Sequence, residues 1–106
     1  MTLLLYLIYL LTQAPVSMDA QFHIAHAYYT GQGLVKSDEA AVDTLVRAFE
    51  DQEDVELAIQ KYHTDVVTCV GTKNAYLVFH RLSGKSETAE KLAAFLKNNN
   101  YAPIDL

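Results

Sequence analysis

From Ser17 onward, apolar residues recur with the period of a helix. Ser17 or Asp19 can cap a helix that runs to about Thr30 and stops at Gly31-Gln32-Gly33, where glycine permits a left-handed final residue. Ser37, followed by Asp38 and Glu39, opens the next helix. Within it Val42, Leu45, Val46 and Phe49 stand at i, i+3, i+4 and i+7, one apolar stripe facing a core. A longer segment then places Val55, Ala58, Ile59, Tyr62, Val66, Cys69 and Val70 on one face, with Gln60, Lys61, His63, Thr64 and Asp65 on the others. Ser86, with Glu87 and Glu90, starts a last helix whose stripe is Ala89, Leu92, Ala93 and Leu96, with Lys97 in its final turn.

Two stretches complete the pattern. Lys73 to Leu82 reads as a further short helix that ends at Ser83-Gly84. Val66–Val70 and Ala75–Leu82 can instead be paired as a β-hairpin around Gly71-Thr72-Lys73-Asn74, giving an α+β fold with a small hairpin around residues 65–82. The helical phase that carries through the valines favours helix. Ahead of everything, Leu3–Leu11 is an unbroken apolar run. The expectation is therefore an all-α fold of about six short helices, with connections short enough to make sequential helices antiparallel neighbours.

Composition narrows the class. The chain has 106 residues, 51% of them hydrophobic, and eight basic against thirteen acidic residues give a net charge of −5. That fits one globular domain over residues 1–106 and excludes a disordered chain, a disulfide scaffold and a basic nucleic-acid binder. The charge is uneven: residues 1–60 carry two basic and nine acidic residues, while 61–106 carry six and four. Glu50, Asp51, Glu53, Asp54 and Glu56 concentrate the asymmetry, either as a solvated turn between helix ends or as a docking site for a basic partner.

The single cysteine, Cys69, cannot make an intrachain disulfide, so the cytoplasm is the expected compartment. Export is the alternative, should residues 1–20 act as a signal segment. Against a signal segment stand the lack of any basic residue before Lys36 and the position of Pro15. Nine apolar residues are too few to span a bilayer, and no membrane association is expected. A helix apolar on every side must be covered on every side, so this run is a central helix, a homodimer interface or a segment that is removed.

Residues 20–52 carry one further signal. In AQFHIAHAYYTGQGLVKSDEAAVDTLVRAFEDQ, the residues Ala20, Ile24, Ala25, Tyr28, Gly31, Gly33, Leu34, Ala41 and Ala48 follow the order of a SEL-one-like repeat, which this segment resembles. That family is related to the tetratricopeptide helical hairpins. Small residues allow two helices to approach, Tyr28 fills the space between them, and the glycines permit the reversal. A second unit at an offset of 38 would align Ala58 and Gly71 with Ala20 and Gly33, but would put Cys69 and Val66 at the places of Gly31 and Tyr28. The segment departs from the family pattern where Thr44 and Leu45 replace an aromatic residue and Gln52 replaces a glycine. The resemblance implies a scaffolding adaptor or regulator that binds another protein; no cofactor is expected.

The remaining residues offer little catalytic chemistry. Asp19, His23 and His26 share one helix face and could contribute to a metal site or a small enzyme, yet no second ligand cluster accompanies them. Cys69 with His63 or His80 could be written as thiolate and base, but Cys69 lies on an apolar stripe. The expected function is thus a non-enzymatic protein-interaction module. Its candidate contact residues are His26, Tyr29, Gln32 and the five acids of residues 50–56. A small acidic inhibitor or immunity-type protein that blocks a basic site is the rival reading.

Overall fold

The structure, a computed structural model, describes residues 17–99. Four helices form: α1 (Met18–Thr30), α2 (Asp38–Glu50), α3 (Val55–Leu82) and α4 (Glu87–Asn98). Each begins at a side chain that accepts a hydrogen bond from a backbone N–H of its first turn. Ser17, Ser37, Asp54 and Ser86 take these places, accepting from Ala20, Ala40, Leu57 and Ala89 respectively. The capping oxygens satisfy donors that a helix cannot satisfy itself. At the other end of α1, Gly31 sits at φ 77° and donates its N–H to Ala27 O at 2.8 Å, so the chain reverses within a few residues.

The helices pack in sequence, α1 on α2, α2 on α3 and α3 on α4, with α1 also reaching α3. The α2 stripe is buried as its spacing indicates: Val42, Leu45, Val46 and Phe49 face the core, joined by Ala41 and Ala48. In α4, Ala89, Ala93 and Leu96 are buried and Leu92 is partly so. The most enclosed segment is the second half of α3, where Asn74, Ala75, Tyr76, Val78, Phe79 and Leu82 are all buried between α2 and α4.

Two expectations change here. The helices read separately as residues 55–70 and 73–82 run as one helical stretch broken at Gly71, so the described residues hold four helices rather than six; the run Leu3–Leu11 lies outside them. The alternative hairpin around residues 65–82 is replaced by helix, and no strand occurs among the described residues. A hairpin would have exposed alternate residues, whereas Asn74, Ala75 and Tyr76 are buried consecutively between two neighbouring helices.

The break has a clear chemistry. Gly71 sits at φ 84° and ψ 165°, a region that side-chain-bearing residues avoid. A methyl group there would meet the Tyr29 hydroxyl of α1 at 2.9 Å. The interruption disturbs the helical ladder, and carbonyls ahead of it take side-chain donors. His26 Nδ1 reaches Cys69 O at 2.9 Å from α1, and the buried Asn74 Nδ2 donates to Val70 O at 3.1 Å. The Cys69 thiol in turn donates to Phe22 O at 3.2 Å.

Gly71→Ala combines backbone strain with the close approach to Tyr29 and is expected to cost about 1–3 kcal/mol in urea denaturation. Gly84 lies in open space with no left-handed backbone, so Gly84→Ala is the control and should stay within about 0.5 kcal/mol of the parent. Equal losses at the two positions would remove the Gly71 account.

Candidate functional site

The acidic residues of positions 50–56 divide by role. Asp54 caps α3, its Oδ1 accepting from Leu57 N at 3.0 Å, and Asp51 ends α2. Glu50 pairs with Lys85 at 2.5 Å across the junction with the α3–α4 turn. Glu56 reaches the start of α4: its carboxylate accepts from the hydroxyls of Ser86 and Thr88 and, at 3.4 Å, from Thr88 N. Gln60 Nε2 adds a bond to it at 3.3 Å. These donors, Ser86 and Thr88 foremost, hold the Glu56 carboxyl down at about 2, against an ordinary value of 4.5. Glu53 is exposed. A sequence window cannot reveal that Glu56 serves a helix thirty residues away; Ser86 and Thr88 at a helix start signal a cap, but not its acidic partner.

Beside this turn lies an open groove of about 840 Å³, lined by residues 52–58 together with Lys61, Tyr62 and Lys85. Glu53, Asp54 and Glu56 are on its wall, and Val55, Ala58 and Tyr62 give it apolar surface. Leu57 stands among them 61% exposed. Leu57 falls outside the apolar stripe of α3, and in the sequence that offset is the signal of a large aliphatic side chain off the buried face.

The other candidate contact residues lie elsewhere. Gln32 is exposed in the turn before α2, while residues 50–56 follow its far end; thirteen helical residues separate them by roughly 20 Å. Tyr29 is half-buried: its hydroxyl is against Gly71, and the Lys36 ammonium lies 5.3 Å from its ring centroid. His26 is exposed, with Nδ1 engaged by Cys69 O. These three therefore do not share one face with the acids. Of the residues carrying the repeat resemblance, Ala25, Ala41 and Ala48 are buried, Tyr28 is partly buried, and Gly31 and Gly33 both take positive φ. Ala20, Ile24 and Leu34 are exposed rather than packed between helices.

Asp19, His23 and His26 do line one shallow cavity of about 370 Å³, together with Phe22, Asp65, Thr68 and Cys69. Among the described residues, no three His, Cys, Asp or Glu side chains are arranged to hold a metal ion. Burial, and secondarily the Asp65 carboxylate, push the Cys69 thiol upward, so it stays protonated at neutral pH. The histidines suggested as its base are occupied elsewhere: His63 Nδ1 faces Ile59 O and Gln60 O of its own helix, and His80 stacks on Tyr76 with centroids 5.5 Å apart.

No protein-family model, curated protein or solved structure was found to match the chain.

Two solution measurements follow from these environments. Glu56 is more acidic folded than unfolded, so its stabilisation is complete above the ordinary 4.5 and fades as pH falls from there toward about 2. Glu56→Gln should therefore melt below the parent at neutral pH, and the gap should close across that window. A gap independent of pH would contradict the assignment. Cys69 should react with iodoacetamide several-fold more slowly than free cysteine at neutral pH; equal rates would show an unperturbed, open thiol.

Proposed function

We propose that the chain is a non-enzymatic protein-interaction module that docks a partner on the groove at the α2–α3 turn. The observation that carries this reading is Leu57, a large aliphatic side chain 61% exposed inside a concave surface that also offers Val55, Ala58 and Tyr62. An isolated exposed leucine on a convex face would mean little, but one within a groove gives a partner side chain apolar surface on several sides. The groove is formed by a turn on a rigid helical frame, a common place for binding residues. The resemblance of residues 20–52 to SEL-one-like repeats supports the same reading, since that family mostly scaffolds complexes. The protonated, hydrogen-bonded Cys69 thiol speaks against covalent catalysis.

The reading is tested by cross-linking mass spectrometry on the intact chain in its native cell. Leu57→Ser should reduce cross-linked partner by about tenfold, the loss of about 1.4 kcal/mol of buried aliphatic contact. Phe95, 58% exposed on α4 and outside the groove, supplies the control Phe95→Ser, which should retain the partner. Circular dichroism should show equal helicity in all three proteins. Undiminished cross-linking in the folded Leu57→Ser protein would overturn the proposal.

A further inference from the structure

We infer that the occupant of this groove is a cationic amphipathic segment of another protein, with one aliphatic or aromatic residue seated on Leu57 and lysines or arginines along the acidic wall. The inference rests on the docking reading above and adds the chemistry of the partner.

The charge balance carries it. Glu53, Asp54 and Glu56 line the groove on the negative side and Lys61 and Lys85 on the positive. Lys85 is already neutralised by Glu50 at 2.5 Å. Among the described residues that line the groove, Lys61 then remains against three carboxylates, with its ammonium 5.2 Å from the Tyr62 ring centroid. The acids are not neutralised in the same way. Asp54 is held by the Leu57 N–H, and Glu56 by two hydroxyls, the Thr88 N–H and the Gln60 amide. All of these donors are neutral, so these carboxylates stay ionised with only the partial positive charge of helix N-termini, and no cationic side chain among the described residues, paired with them.

Those bonds also fix Asp54 and Glu56 in place. A partner that engages fixed charges immobilises fewer side chains than one that must order a mobile surface. The geometry therefore favours a positive ligand and disfavours a negative one, since like charges brought together across an interface repel. Leu57, Val55 and Tyr62 beside these acids suit a segment with one apolar and one basic face.

The test uses fluorescence anisotropy with the intact chain and two labelled helical peptides, one of lysine and leucine and one of glutamate and leucine. The lysine–leucine peptide should bind and should weaken at least tenfold from about 50 to about 500 mM salt, as exposed charges become screened. The glutamate–leucine peptide should bind at least tenfold more weakly. Leu57→Ser and, independently, Glu53→Lys should each reduce lysine–leucine binding several-fold, while Phe95→Ser should leave it unchanged. Glu53 is exposed, so its replacement reads charge rather than folding. Equal affinity for both peptides would overturn the inference. So would binding unchanged in both Leu57→Ser and Glu53→Lys, which would mark general attraction to an acidic protein. Failure of both peptides, with the native cross-links still dependent on Leu57, would discard the cationic partner and leave the docking reading standing. Loss of that Leu57 dependence would remove both.

Discussion

The approach of α1 to Gly71 is the constraint from which the arrangement of the helices follows. Tyr29 places its hydroxyl where a side chain at position 71 would begin, and the backbone there adopts a conformation open to glycine. The break it introduces lets α3 serve two neighbours. Its first half receives α1 through the His26 and Phe22 hydrogen bonds, and its second half is buried between α2 and α4. A straight helix would keep one continuous face toward one side. Here the interruption is stabilised by His26 of α1 and by Asn74, so its polar cost is met locally.

A second joint lies at the opposite end of α2. Glu50 with Lys85, and Glu56 with Ser86 and Thr88, tie the α2–α3 turn to the turn before α4, while Arg81 pairs with Asp43 between α3 and α2. The ion pairs are largely exposed and contribute little individually. The Glu56 carboxylate differs because it accepts several bonds at a helix N-terminus, where both hydrogen bonding and the helix dipole favour negative charge. The same acids therefore hold two helices together and leave a negatively charged wall beside Leu57. At Asp54 and Glu56, fold and proposed recognition draw on the same side chains, whereas the exposed Glu53 contributes charge alone.

Much of the helical framework was legible along the chain because its signals are local. A serine cap acts within three residues, as Ser37 does on Ala40, and the α2 stripe repeats within two turns. Gly31 as the end of α1 is a cue of the same range. The break in α3 was legible only as an ambiguity: Gly71 beside valines supports a helix end or a hairpin, and Tyr29, forty-two positions earlier in the chain, decides between them. The candidate contact residues fared differently for a related reason. Tyr29 and Gln32 are three apart in sequence, yet one is packed against α3 and the other is exposed in a turn.

The sequence by itself favoured helix over the described residues, marked the capped starts at Ser37 and Ser86, narrowed that of α1 to Ser17 or Asp19, and set the stripes of α2 and α4, all through interactions between residues a turn or two apart. Tertiary structure decided that Gly71 bends one long helix, that Glu56 belongs to the N-terminus of α4, and that Leu57 stands in a groove instead of on an open face. Each of these depends on groups thirty or more positions apart, or on the shape of a surface assembled from two turns. No periodicity within a single helix encodes such contacts; they arise only when neighbouring helices have packed.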